Sequence, residues 1–230
     1  MFLIRARTHS LIFHPSQPLV SSWLETLPEG VRERLQRHYD TFCAPLLRFL
    51  RREVREANPN SPGSLVTAWM RITSSLAGPH LTSEARVALG KDALLGLIDG
   101  ISIFSLVWSI CATACDTAGR ELMSTFFRTL LSRDLSSYSS PSGHSYFSPD
   151  WEHFDLLAPG APPTDGLLHD WYLDTSPGKT TTSEWRRWTD RIDANFLSTL
   201  PPDSNFKSII VPTADSVTIS FLLGLAVTHG

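Results

Sequence analysis

Ile101–Arg120 reads ISIFSLVWSICATACDTAGR and is the most apolar passage in the chain. Ile101, Phe104, Leu106, Val107, Trp108, Ile110 and Cys111 leave no polar side wider than a serine. A helix that is apolar all round is either buried in protein or spans a membrane. A span needs about 20 predominantly apolar residues. Only the 16 residues 100–115 separate Asp99 from Asp116, and several of them are Ser or Thr. No Lys/Arg cluster or Trp/Tyr pair flanks the passage, as an interfacial anchor would. The passage therefore predicts a buried core helix, and no membrane is expected as a partner.

The rest of the composition fits a chain built around such a helix. The 230 residues suffice for one domain or two small ones. Hydrophobic residues make up 42% and charged residues 19%, which excludes a wholly disordered chain. A net charge of −3 gives no field that would attract nucleic acid. Cys43, Cys111 and Cys115 do not make a disulfide framework, and their odd count fits a reducing compartment. Cys111 and Cys115 stand four apart and read as buried thiols on one helix face; no nearby His completes a zinc set, so no metal site is expected. The N-terminus, MFLIRARTHSLIFHP, lacks a continuous apolar segment of signal-peptide length.

Working outward from the core stretch, the period is helical. Residues 1–17 give no clear pattern. Ser21–Pro28 is a short helix closed by Pro28. Val31, Leu35, Tyr39, Phe42, Leu46, Phe49, Leu50 and Val54 recur at steps of three and four and form one helix face, which Pro45 should kink or divide near Cys43. The other face carries Arg32, Arg34, Arg37, Arg48, Arg51, Arg52 and Arg55 and reads as a solvated face, with Glu33, Glu53 and Glu56 interleaved. Ser61 or Ser64 can cap the next helix, which Gly78-Pro79 stops. Residues 82–114 form one or two helices, and another starts near Thr117 with Asp116 as its cap. Residues 18–133 thus predict a bundle of about five helices.

Leu135–Asp150, LSSYSSPSGHSYFSPD, reads as a loop or linker. Beyond it, Trp151–Phe154, Leu167–Asp174 and Trp185–Trp188 are short aromatic segments with partial alternation, expected as short strands or extended arms. Phe206–Thr213 reads as an extended segment ended by Pro212. Ala214–Gly230 reads as a helix with Val217, Phe221, Leu222, Leu225 and Ala226 on one side, capped by Thr213 or Asp215.

Several of these segments resemble the dynein heavy chain, an AAA+ motor. The residues are Phe104-Ser105-Leu106-Val107-Trp108-Ser109, Cys115-Asp116-Thr117-x-Gly119-Arg120, Phe126-Phe127-Arg128, the spaced tryptophans, and Ile210-Val211-Pro212-Thr213-x-Asp215-Ser216. The resemblance covers about residues 18–230 and is strongest at 104–131 and 206–217. It implies a mainly α chain with four parts. Residues 1–17 are a poorly defined N-terminal segment, and 18–135 are the helical lid bundle of the second AAA+ module. Residues 136–205 are a linker and Trp-rich extension with a little β structure. Residues 206–230 are the strand–helix start of the third module, before its phosphate loop. One departure is Thr218, where the family often has Arg.

By that resemblance the whole protein converts ATP hydrolysis into movement along microtubules, in the cytoskeleton and in the ciliary axoneme rather than the cytoplasm. ATP and magnesium are the cofactors of the whole, and this chain carries no hydrolysis. Its partners are the neighbouring AAA+ modules and, through the whole, microtubules and other dynein subunits. The alternative class is a stand-alone helical interaction protein derived from a lid. The resemblance also points to Ile210, Val211, Pro212 and Thr213 as a wall against an adenine ring, since apolar side chains stack on the base; a plain strand-to-helix junction explains the same residues.

Other chemistry is weak in the sequence. Ser176-Pro177-Gly178-Lys179-Thr180 ends as a phosphate loop does, but the position that needs the first glycine is Leu173. Pro141-Ser142-Gly143-His144-Ser145 is not a Gly-x-Ser-x-Gly elbow, and the eight histidines show no His-Glu-x-x-His. No catalytic residue is assigned.

Overall fold

The computed structural model describes residues 17–132, 138–147, 154–157, 160–176, 184–192 and 211–229. The fold is mainly helical with one two-stranded sheet. The first helix, α1 (Gln17–Glu25), buries Val20 and Leu24. After Pro28, α2 (Glu29–His38) buries Val31, Leu35 and His38. The division expected at Pro45 takes the form of a π-helical turn, Tyr39–Cys43, that leads into α3 (Ala44–Glu53). Proline has no N–H to donate and its ring crowds the preceding turn. A wider turn before Pro45 relieves both and keeps Phe42, Leu46 and Phe49 facing the core, all fully buried.

Helix α4 (Pro62–Ala77) starts where Ser61 Oγ accepts the Ser64 N–H at 3.1 Å and stops at Gly78-Pro79. Thr82 Oγ1 caps α5 (Ser83–Leu89). Gly90, at φ +76°, turns the chain into α6 (Lys91–Ser109). The Asp116 carboxylate accepts the Gly119 N–H at 2.7 Å and opens α7 (Thr117–Leu131). Seven α-helices therefore stand between Gln17 and Leu131 where about five are expected, because Pro45 and Gly90 each split a longer run.

Helix α6 lies at the centre, packed against α2 and α4, while α7 packs on α3. Its segment to Thr113 is long and apolar enough to cross a membrane, but 89% of its most apolar window is buried inside the protein, as the core reading requires. Leu106, Val107 and Cys111 are among the least exposed side chains, as expected, but Trp108 is only half-buried. The reason is its place in the last turn of α6, at the edge of the bundle. The pairing expected of Cys111 and Cys115 also fails. The helix ends at Ser109, a 3₁₀ turn spans Cys111–Thr113, and Cys115 is exposed while Cys43 and Cys111 are buried. There the chain bridges back to Glu56, and the Cys115 N–H donates to the Arg55 carbonyl at 3.0 Å.

The loop 138–147 is anchored by aromatics. Phe49 and Phe126 stack at 4.1 Å, and Tyr146 meets both edge-on. Its hydroxyl and that of Ser142 donate to Glu53. The aromatic extension forms a hairpin: β1 (Trp171–Asp174) pairs antiparallel with β2 (Glu184–Arg187), Trp171 opposite Arg187. Residues 168–170 form a 3₁₀ turn ahead of β1 rather than continuing the alternation. β1 rests on α6 at Gly100, where a Cβ would stand 3.0 Å from a Leu173 methyl. The last helix, α8 (Ala214–His229), packs against α4 and against the 3₁₀ turn Trp188–Arg191. Of the extended segment expected at 206–213, residues 206–210 lie outside the described residues, and 211–213 are irregular.

Candidate functional site

Two junctions hold the extension and α8 onto the bundle. The first centres on Asp99, fully buried in the middle of α6. Arg34 of α2 grips it with two N–H groups, Nε to Oδ1 at 2.6 Å and Nη2 to Oδ2 at 2.5 Å. His38, one turn on, places Nε2 2.8 Å from Oδ1. The Leu157 N–H donates to Oδ2 at 2.7 Å, and Arg34 Nη2 also donates to the Asp155 carbonyl at 2.7 Å. The Phe154 ring lies under the guanidinium of Arg34 at 4.2 Å and of Arg37 at 4.8 Å. Burial alone would push the Asp99 carboxyl up, but the hydrogen bonds from Arg34, His38 and Leu157 outweigh it and hold it low. Burial keeps His38 neutral by depressing its pKa against the pull of Asp99. Gly160 then passes so close that a Cβ there would stand 2.5 Å from the Asp99 Cβ.

The second junction is aromatic. Trp188 lies 5.0 Å from Tyr172, 5.9 Å from Trp108 and 5.5 Å from Phe221 of α8, centroid to centroid. Phe221 reaches Phe104 of α6 at 6.1 Å. The Arg191 guanidinium lies over both Tyr172 and Phe221. Below Trp108 sits His169, its pKa pushed down to about 4 by burial and by Arg120, with the Cys111 carbonyl and Asp170 pulling the other way. Neither ring nitrogen of His169 has a well-aligned hydrogen-bond partner among the described residues. The arrangement offers mechanical connection: apolar and cation–π contacts joining α4, α6, the hairpin and α8.

Residues 35–190 match the family model of the dynein heavy chain AAA lid domain. The chain belongs to this family. The chain is 26% identical over 230 residues to dynein axonemal heavy chain 1 of Mus musculus, an alignment that covers 92% of this chain and 5% of that one. It is 23% identical to dynein axonemal heavy chain 2 of Homo sapiens, over 93% of this chain and 4% of that one. Against dynein axonemal heavy chain 12 of Mus musculus the figures are 26%, 97% and 7%. The chain thus spans about one twentieth of the length of the curated relatives it matches.

Of the four residues expected to face an adenine ring, Ile210 lies outside the described residues. Val211 is 59% exposed, and Pro212 is half-buried. Thr213 caps α8: its Oγ1 accepts the Ser216 N–H while its own N–H donates to Ser216 Oγ. Val211 and Pro212 suit one apolar wall; the described residues assemble no phosphate-holding loop beside them. Gly178-Lys179-Thr180 lies outside the described residues. Thr218 is buried and donates to the Ala214 carbonyl.

The solvated reading of the arginine face is corrected at two positions: Arg34 binds Asp99, and Arg48 donates to the Tyr146 carbonyl at 3.0 Å. Arg51 is exposed, as expected, and pairs with the interleaved Glu56 and with the Asn60 carbonyl. Sequence reasoning missed Asp99 as well, taking it as the edge of the apolar run. The available signal was an acid inside a stretch buried on all sides, since a buried carboxylate requires a partner.

Proposed function

We propose that the chain is a non-catalytic part of a dynein heavy chain that couples adjacent AAA+ modules, the second and the third, of an ATP-driven microtubule motor in the ciliary axoneme. The observation that carries this reading is the seating of α8 on α4 and Trp188. In the resemblance α8 belongs to the next module, so a rotation of the bundle is passed to that module through a packed joint rather than a flexible tether. The names of the relatives support the axoneme. Neighbouring modules, microtubules and other dynein subunits are the partners in this reading. Residues 210–213 are one wall of the next module's adenine site, and ATP and magnesium are cofactors of the whole motor only.

The test is a dynein heavy chain carrying this segment with Trp188→Ala and Phe221→Ala. The coupling reading expects microtubule gliding to slow severalfold while ATP turnover continues. Unchanged gliding, with α8 shown by amide exchange to have lost protection, would sink it. The other reading, a stand-alone helical interaction protein, is decided by transcript sequence: an in-frame strand and Gly-x-x-x-x-Gly-Lys-Ser/Thr downstream of Gly230 excludes it.

A further inference from the structure

Helix α6 breaks local rules at one place. It carries an acid, Asp99, and two glycines, Gly96 and Gly100, in a helix buried along most of its length. Glycine weakens a helix interior, and a buried carboxylate requires partners. Choices that work against an element mark a place where something else is served. Here it is the passage of residues 154–157 and Gly160 over α6. A Cβ on Gly160 would stand 3.0 Å from the Gly96 carbonyl oxygen, and a Cβ on Gly100 would stand 3.5 Å from the Gly160 Cα.

The hydrogen bonds at Asp99 divide unequally. Of the four it accepts among the described residues, three come from α2, from Arg34 Nε and Nη2 and from His38 Nε2; one comes from the Leu157 N–H. Removing 154–157 therefore leaves the carboxylate paired with Arg34 and His38 and opens a single acceptor site on Oδ2, which water can fill. The strap itself holds on by few means. Of its side chains at 154–157 only Phe154 is buried; Asp155 is exposed, and Leu156 and Leu157 are half-buried. Phe154 lies under Arg34 and Arg37 and 4.8 Å from the His38 ring, and the Asp155 carbonyl accepts from Arg34 Nη2. A segment with so few buried apolar groups opens at a lower free energy than the core.

We infer that residues 154–157 are a latch, which lifts off Arg34 and Asp99 as a unit while α2 and α6 stay paired through those same two side chains. The catch belongs to the permanent core and survives opening. A carboxylate served by the strap alone would be left buried and unpaired each time the strap departed, or would drag α6 with it. With Arg34 and His38 in place, attachment of the strap is an equilibrium separate from unfolding of the bundle. The inference does not rest on module coupling; it uses only the partners of Asp99.

The test is native-state amide exchange of the 230-residue chain, followed residue by residue at rising urea below the unfolding transition. The Leu157 N–H should exchange about a hundredfold or more faster than the amides of Ile103–Val107. Its rate should change little with urea, because the slope follows the surface that an opening exposes. Phe154→Ala removes the one buried ring of the strap without removing a hydrogen bond from Asp99. It should raise Leu157 exchange about tenfold or more, while the helical circular dichroism and a cooperative urea transition persist. Leu157 exchanging at the rate of α6 with the same urea slope overturns the latch. So does a Leu157 rate that Phe154→Ala leaves unchanged, or a variant that loses the helical signal of the bundle.

Discussion

His169 is a buried imidazole whose pKa, about 4 in the fold, lies below the free value of about 6.5. Folding therefore favours its neutral form. Above the free value the contribution is complete; as pH falls from there to about 4 the unfolded chain takes the proton and the folded chain does not. Stability should drop by about 3 kcal/mol across that window. Urea melts at several pH values should show the slope, and His169→Gln should flatten part of it. His38 and Asp99 add to it with the same sign, as do His80 and Glu53, whose pKa values are also lowered. His38 is held neutral, so its contribution also falls below the free imidazole value; Asp99 is held ionised, and its contribution is lost as pH falls through its own lowered pKa. Asp99→Ala should cost about 3–5 kcal/mol, because Arg34 would be left without its buried counter-charge. None of this pairing was legible locally. Arg34, His38 and Leu157 stand 65, 61 and 58 residues from Asp99, and no spacing rule connects them. The caps were legible, since Ser61, Asp116 and Thr213 each bond a backbone N–H three residues on.

The helices were readable because their signal is periodic and short-ranged. Val31 through Leu50 mark one face at steps of three and four, and that face is buried. The hairpin was readable only in outline. Its strands are four residues each, and its register depends on where Leu173 lands against Gly100. Tryptophans were harder still: Trp108 and Trp188 look alike in sequence, yet Trp188 is 2% exposed and Trp108 half-buried. Trp188→Ala should therefore destabilise the chain by about 3–5 kcal/mol and Trp108→Ala by less. Chemical denaturation of the two variants checks the order. Gly160→Ala tests the strap beside Asp99. Its Cβ cannot be placed without moving backbone or α6, so a loss of about 1–3 kcal/mol is expected.

Taken as a whole, the molecule has a core of helices and a border of short segments attached by a few side chains. Amide exchange should be slower in α6 and α7 than in the hairpin and the loop 160–170, whose hydrogen bonds are fewer and nearer solvent. Calorimetric titration of the chain with magnesium and ATP should give no binding in the low micromolar range, because most nucleotide affinity comes from phosphate contacts at a glycine-rich turn and helix N-terminus. The accessibility of the thiols has a practical consequence. Cys43 and Cys111 are enclosed and their pKa values are raised by burial, whereas Cys115 is exposed next to the first turn of α7. A maleimide dye should label the native chain once and the denatured chain at all three cysteines of the sequence, as mass spectrometry would count. The chain thus carries its own attachment point for a fluorophore on a rigid helix end, from which the tilt of the bundle can be followed as light polarisation without altering a residue.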